Sequence, residues 1–245
     1  LVPTALDNPE YMYSLTKKLI ESNPYICGSA IAFEPFSFED KGRFYSPYSY
    51  REGDSIVSKQ LGTADYDYHY MDWYQIPKLL GSKYWSEPYY DAGGANLIMT
   101  TFAYPLYDAE GRMYAIFTAD ISLEWFADMV NNIKPYPNSY NFMIGRGGSF
   151  LVHRRKEAIL NETIFANSIY SNDEVLNETG HKMVDGKKGM TKLDREGHKF
   201  YLFYAPIKAT GWSVAVACMY SDIFAGIDHM RNITLLVALL GLLFM

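Results

Sequence analysis

The 245-residue sequence predicts an α+β protein in which two related modules with antiparallel strands follow an N-terminal helix. Segments rich in Tyr, Val and Ile alternate with turn residues along most of the chain, as is typical of short strands. A Pro-containing strand, a turn, a second strand and a helix occur in this order twice, around Pro105 and around Pro206, which indicates a repeated module. Between the two copies, Pro135 and Pro137 forbid a regular element, so a domain boundary is predicted there.

The first module is predicted to contain a helix, a group of strands and two further helices. The first helix covers residues 8–22, where Asp7 or Asn8 can cap the first turn and Pro9 suits its beginning. Asn23 and Pro24 end it, because the residue before a proline disfavours helical dihedral angles. The remaining predicted elements are strands over residues 26–33, 44–50 and 55–61, a short helix over 72–80 with Asp72 as its cap, a hairpin over 97–107 and 112–121, and a helix over 122–132.

The second module repeats this pattern with different connections. Strands are predicted over residues 140–145 and 149–153, a mixed helical stretch over 158–184, a hairpin over 189–193 and 198–207, and a last strand over 212–219. A final helix begins at Ser221 and runs into residues 233–245, which carry no charge. Since this apolarity covers all faces, the run is expected to be the start of a transmembrane helix at which the chain is cut, with a buried C-terminal helix as the alternative.

Composition limits the possible functions. Hydrophobic residues make up 49% of the chain, which is enough for a substantial core. The net charge is −6 and no basic stripe is present, so nucleic-acid binding is not expected. Cys27 and Cys218 are expected to be buried thiols, with a disulfide as the alternative. The five His residues are scattered without metal-ligand spacing, and no enzyme motif is present, so no metal, cofactor or catalytic residue is predicted.

A series of short motifs in the first module resembles the double Cache sensor domains of chemoreceptors, sensor kinases and cyclic-dinucleotide enzymes. The series is Tyr66, Trp73-Tyr74, Trp85-Ser86-Glu87-Pro88-Tyr89, Thr100-Thr101 to Tyr104-Pro105-Leu106-Tyr107, Gly111, and Ala119-Asp120-Ile121-Ser122-Leu123. The resemblance implies a stalk helix (residues 1–24), a membrane-distal, ligand-binding PAS-like (Cache) module (25–133), a membrane-proximal PAS-like module (134–220), and a C-terminal helix leading into a transmembrane helix (221–245).

The same resemblance implies a ligand site in the distal module. In members that bind amino acids, a Tyr, an Arg, a Trp-Tyr pair, a second Tyr and an Asp form the pocket, and the Arg binds the ligand carboxylate. In this sequence the matching places are taken by Tyr66, Trp73, Tyr74, Tyr89 (or Tyr90) and Asp120, while Met71 stands where the Arg is expected. Asp72, Asp91 (which precedes a Gly93-Gly94 loop) and Thr101 complete the candidate set.

Without the Arg, a buried carboxylate ligand is left poorly solvated, whereas aromatic faces and an acid suit a cation. We therefore expect an amine or methylated ammonium as the ligand, with Asp120 or Asp72 as its counter-charge. In the alternative interpretation, Trp73 and Tyr74 pack in the core and Asp120 caps the following helix.

The predicted function is that of a binding module. The chain is expected to be the periplasmic or extracellular sensor region of a membrane receptor, a sensor histidine kinase or chemoreceptor. It would act as a homodimer, flanked by transmembrane helices, with a small molecule as its ligand. The alternative is a secreted or membrane-anchored hydrolase that uses acids such as Asp120 and Asp91. In the second module a further pocket is conceivable at Tyr140, His153, Tyr201, Tyr204 and Trp212, although core packing is the preferred interpretation there.

Overall fold

The computed structural model describes residues 8–92, 95–195, 197–226, 230, 231 and 234. The chain divides into two compact units, Leu1–Phe126 and Ala127–Met245. Each unit has one antiparallel sheet of its own. The predicted α+β class, with an N-terminal helix and two antiparallel modules, is therefore confirmed.

The N-terminal unit is built on a seven-stranded sheet. The helices and strands from residue 9 to residue 131 are α1 (Pro9–Ser22), β1 (Ile26–Phe33), β2 (Pro47–Glu52), β3 (Ser55–Gln60), α2 (Asp72–Leu80), β4 (Tyr84–Trp85), β5 (Tyr89–Tyr90), β6 (Ile98–Tyr107), β7 (Met113–Ser122) and α3 (Leu123–Asn131). The strand order in the sheet is β3-β2-β1-β7-β6-β4, and β5 also pairs with β6. A short 3₁₀ helix, Tyr68–Tyr70, precedes α2.

Helix α1 begins and ends as the sequence predicts. The Asn8 side chain accepts a hydrogen bond from the Glu10 backbone N–H at 3.1 Å, so Asn8 rather than Asp7 is the observed cap. The helix packs on β1 and β2. Its C-terminal end is held by Arg51 of β2, whose guanidinium donates to the Ile20 carbonyl at 2.6 Å. The same carbonyl also accepts from the Asn23 backbone N–H at 3.3 Å, so the charged side chain adds a second hydrogen bond at the end of the helix.

Helix α2 starts differently from the prediction. Met71 takes the N-cap position without a side-chain hydrogen bond, and Asp72 is the first helical residue. The expected Asp72 cap is therefore wrong. The carboxylate still lies in the first turn, where the helix dipole favours a negative charge. The helix ends at Gly81, whose positive φ of 61° is the left-handed conformation that glycine adopts without strain.

The C-terminal unit is built on a five-stranded sheet. Its elements are β8 (Tyr140–Ile144), β9 (Phe150–Val152), a 3₁₀ helix (Lys156–Ala158), α4 (Ile164–Tyr170), α5 (Glu174–Val184), β10 (Gly189–Arg195), β11 (His198–Ile207) and β12 (Trp212–Met219), followed by helical residues 220–226. The strand order is β10-β11-β12-β8-β9. The core consists of apolar side chains from this sheet and from the two helices α4 and α5, including Phe142, Leu202 and Met183.

Two further expectations concern the cysteines and the apolar tail. Cys27 and Cys218 are both free and buried, which confirms the expected thiols. Of the apolar run 233–245, only residue 234 belongs to the described part of the chain, so the predicted transmembrane start lies outside it. Within the described residues, no helix reaches the length and apolarity of a membrane span.

Candidate functional site

The N-terminal unit contains a two-part pocket beside its sheet. The outer chamber has a volume of about 500 Å³ and lies between α2 and the segment that carries β4 and β5. The inner chamber has a volume of about 10 Å³ and lies against the sheet. The two chambers adjoin, since they share four lining residues, Tyr66, Trp73, Tyr89 and Asp91.

The floor of the inner chamber is a row of paired residues on neighbouring strands. Asp120 of β7 pairs with Thr101 of β6 on one side and with Gly28 of β1 on the other. Paired residues in antiparallel strands point to the same face of a sheet, so strand register alone brings these residues together. Tyr48 of β2 joins them, and its hydroxyl reaches across to Asp91 at 3.2 Å.

Asp120 is the most strongly perturbed acid in this row. It is 4% exposed and its Oδ1 accepts a hydrogen bond from the Thr101 hydroxyl at 2.8 Å. Burial raises the pKa of Asp120 to about 7; the Thr101 hydrogen bond opposes this rise and the nearby charge of Asp91 adds to it. The carboxyl group can therefore hold a proton near neutral pH, and a cation bound beside it would favour the ionised form, with the proton passing to solvent.

Asp91 differs from Asp120 in how well it is hydrogen-bonded. Its Oδ2 accepts from the Tyr48 hydroxyl and from the Ala95 backbone N–H at 2.6 Å. The Ala95 bond closes the loop after β5, so Asp91 shapes the pocket wall as well as supplying charge. Gly93 and Gly94 of the expected loop lie outside the described residues.

The aromatic side chains of the pocket are held in place through their polar atoms. The Tyr66 hydroxyl is hydrogen-bonded to Trp73, and burial, opposed by this bond, raises the pKa of Tyr66 to about 12. The Tyr89 hydroxyl lies 2.7 Å from the Thr101 hydroxyl. Burial, together with the charge of Asp120, raises the pKa of Tyr89 well above its ordinary value. Both rings therefore stay neutral at physiological pH and can present their faces to a cation.

The charged residues around the pocket are all acidic. Asp72 and Glu87 line the outer chamber, and Asp91 and Asp120 line the inner one. Among the described residues that line either chamber, none is Lys or Arg. Met71 lies in the wall of the outer chamber, at the place where the resemblance implies an Arg. The pocket therefore offers negative charge at both depths.

The structure places eight of the nine predicted site residues around this pocket: Tyr66, Met71, Asp72, Trp73, Tyr89, Asp91, Thr101 and Asp120. The ninth, Tyr74, is fully buried in the aromatic cluster beneath α2, and its hydroxyl donates to Glu34 at 2.6 Å. Tyr90 is largely exposed at the mouth.

Asp120 does not take the helix-capping role of the alternative interpretation. Ser122 accepts the hydrogen bond from the Trp125 N–H at the start of α3, at 3.2 Å, while Asp120 is bonded to Thr101. Sequence reasoning missed Tyr48 and Gly28, which lie outside the motif series. The signal that could have found them is the pairing of β1 with β2 and β7.

The cavities of the C-terminal unit are smaller than the outer chamber of the N-terminal unit. Tyr140 and His153 line a cavity of about 20 Å³ among core side chains, and Tyr201 lines a separate cleft of about 300 Å³ beside β10 and β11. Trp212 and Tyr204 are buried, as the core-packing interpretation predicts.

Comparison with known proteins gives the class. Residues 12–128 match the family model described as methyl-accepting chemotaxis protein-like, first PDC sensor domain. The structure is similar to the extracellular domain of the putative histidine kinase mmHK1S-Z3, with a TM-score of 0.76 and 23% identity, covering 91% of this chain and 84% of that one. It is also similar to the ligand-binding domain of the Pseudomonas aeruginosa PAO1 amino acid chemoreceptor PctB in complex with L-Arg, with a TM-score of 0.60 and 18% identity, covering 92% and 78%.

The N-terminal part of the chain thus matches the PDC sensor domain family, and the predicted resemblance to double Cache sensor domains is confirmed. In sequence, the chain is 22% identical to the methyl-accepting chemotaxis protein PctB of Pseudomonas aeruginosa over 181 residues, which is 73% of this chain and 27% of that protein. The chain spans about a quarter of the length of the curated relatives that it matches.

Proposed function

We propose that this chain is the extracytoplasmic sensor region of a membrane signalling receptor, and that the pocket of its N-terminal unit binds an organic cation, an amine or a methylated ammonium. The observation that carries the proposal is the buried Asp120 carboxyl, set in an aromatic pocket whose charged lining residues are acidic. A cation entering this pocket gains a counter-charge and the faces of several aromatic rings.

The aromatic contribution follows from the ring positions. Trp73 and Tyr89 line both chambers, and Tyr66 stands beside them. A cation over such a face gains about 0.5–2 kcal/mol per good contact, and most where water is excluded. Since Asp120 is buried, its attraction to the cation is screened less than that of a surface carboxylate.

An amino acid is the rival ligand, because PctB has been solved with L-Arg. Its carboxylate needs a charge-assisted donor in a buried site, and the place of that donor is taken by Met71. A carboxylate in the outer chamber would also face Asp72 and Glu87. Like charges at these positions oppose an anionic ligand group, so the pocket selects the cation alone.

Signal transmission requires that the ligand favour one of two states of the receptor. Residues 25–133 are proposed as the ligand-binding module and residues 134–220 as the second module, in a receptor that is a homodimer held in the membrane by flanking helices. Helix α1 is proposed to transmit the signal from the first module. Thr16 of α1 is hydrogen-bonded to Ser49 at 2.8 Å, and Ser49 is the neighbour of the pocket residue Tyr48 on β2. The proposed output is that of a sensor histidine kinase or a chemoreceptor.

The test is a calorimetric screen of the purified chain against primary amines, methylated ammonium compounds and amino acids. Saturable binding of a cation that is lost in Asp120→Asn and kept in Asp65→Asn, a change of an exposed aspartate in the same unit, supports the proposal. Tight binding of an amino acid with no cation binding would overturn the ligand class. Turnover of a ligand by the isolated chain would favour the hydrolase alternative.

A further inference from the structure

We propose that the inner chamber accepts a single primary ammonium group rather than a quaternary one, and that Gly28 positions the acid of this chamber by leaving the place of a side chain to Asp120 and Tyr48. The inference rests on the proposed binding of an organic cation and specifies its head group.

Size sets the first limit. The inner chamber has a volume of about 10 Å³, which is about the room that one water molecule needs. An ammonium group has one heavy atom, as water does, whereas a trimethylammonium group has four. The outer chamber, at about 500 Å³, has ample space for the rest of an amine ligand. A quaternary head group is therefore kept in the outer chamber, away from Asp120.

Hydrogen bonding sets the second limit. With Asp120 ionised, the Thr101 hydroxyl donates to the carboxylate and the Tyr89 hydroxyl donates in turn to Thr101, so the Tyr89 oxygen is left with free lone pairs. The Tyr48 hydroxyl likewise donates to Asp91 and keeps its own acceptor capacity. These oxygens and the Asp120 carboxylate match the three N–H donors of a primary ammonium. A quaternary group has no N–H donor and leaves buried acceptors unsatisfied.

Gly28 explains why the floor of the chamber has this shape. A Cβ atom at residue 28 would lie 2.6 Å from Asp120 Oδ2 and 2.8 Å from the Tyr48 hydroxyl. Contacts this short are not tolerated, so a methyl group there displaces one of the two side chains. Residue 28 has no positive φ, so an alanine there would act through these side-chain contacts rather than through backbone strain. Gly28 is thus a positioning residue for the acid that receives the cation.

The first experiment compares two cations with the same alkyl chain, n-butylammonium and n-butyltrimethylammonium, on the purified chain at pH 8. We expect the primary amine to bind at least ten-fold more tightly. Equal or tighter binding of the trimethyl compound would overturn the inference while leaving the proposed function intact. Failure of both probes, together with every other cation of the screen, would overturn the proposed function as well.

The second experiment uses variants. Gly28→Ala is expected to weaken n-butylammonium binding at least ten-fold and to remove the dependence of affinity on pH between 6 and 8. The control is Gly147→Ala, at a glycine whose Cβ position has no neighbour within 4 Å and no positive φ. Unchanged affinity in folded Gly28→Ala would overturn the role of Gly28.

A third variant tests the size limit of the inner chamber, whether or not Gly28→Ala folds. Leu61 lines the inner chamber, and Leu61→Ala removes as many carbon atoms as separate a trimethylammonium from an ammonium. We expect this enlargement to raise the affinity for the trimethyl compound relative to the primary amine by at least five-fold. An unchanged ratio would contradict selection by size.

Discussion

Replacing Asp120 by Asn is expected to stabilise the N-terminal unit above neutral pH while abolishing cation binding. The pKa of Asp120 is raised from 3.8 to about 7, chiefly by burial. A shift of this size corresponds to up to about 4 kcal/mol of unfolding free energy that the ionised side chain removes from the folded state. The neutral amide of Asn avoids this penalty, and its oxygen can still accept the hydrogen bond from Thr101.

The effect has a defined pH dependence. Below about pH 4 the Asp120 side chain is neutral in both folded and unfolded protein, so Asp120→Asn and wild type have similar stability. Between about pH 4 and 7 the unfolded chain loses this proton while the folded chain keeps it, and wild-type stability falls. Above about pH 7 both states are ionised, and the difference between variant and wild type reaches its full value.

The measurement is urea unfolding of wild type, Asp120→Asn and the control Asp65→Asn at several pH values, followed by the fluorescence of Trp73, Trp85 and Trp125 in the N-terminal unit. Other titrating groups contribute equally to both proteins, so the difference between their profiles isolates Asp120. A variant that is less stable than wild type by the same amount at pH 5 and pH 8 would refute the reasoning, because Asp120 would then be a purely structural acceptor.

Three further predictions concern the same pocket. Cation affinity is expected to fall by up to about ten-fold per pH unit below pH 7, because Asp120 must lose its proton when the cation binds. Calorimetry in two buffers of different ionisation enthalpy should detect this proton release. Constant affinity from pH 6 to 8 would contradict the prediction. Met71→Arg is expected to weaken cation binding at least ten-fold and to favour amino acids, because it places a positive charge in the outer chamber. Tyr74→Phe is expected to lower the unfolding free energy by about 2 kcal/mol through loss of the bond to Glu34. Cation affinity of Tyr74→Phe should stay within two-fold of the wild-type value. The control for stability is Tyr104→Phe, which removes the hydroxyl of an exposed tyrosine.

Local sequence signals were enough for most of the fold. Asn8 and Pro9 set the start of α1, and the strands His198–Ile207 and Trp212–Met219 lie where the turn residues around them predict. These signals are local, because capping, turn formation and alternation depend on neighbours in the chain. The two-residue strands β4 and β5 were not predicted, since a bridge of this length exists only through its pairing with β6.

The candidate site was only partly accessible from the sequence. The motif series led to Tyr66, Trp73, Tyr89 and Asp120, all of which line the pocket. It also led to Tyr74, which the motif does not distinguish from Trp73. Both residues belong to the same buried cluster, but Trp73 also lines the pocket, whereas the Tyr74 hydroxyl is directed to Glu34. A helix separates neighbouring side chains by about 100°, so only the packing of α2 decides which of the two meets the pocket.

The sequence by itself determined the class of the protein, because the same order of helices, strands and prolines occurs twice and the motif residues fall within one module. The sequence likewise showed that Met71 stands where an Arg is expected and that acidic residues accompany the aromatic ones. Only the tertiary structure showed that Asp120, Gly28 and Tyr48 share one floor, that Asp120 is buried enough to hold its proton near neutral pH, and that the inner chamber has room for one small group. Each of these properties arises from the pairing of strands far apart in sequence, and burial and cavity size follow from that long-range pairing rather than from any local pattern.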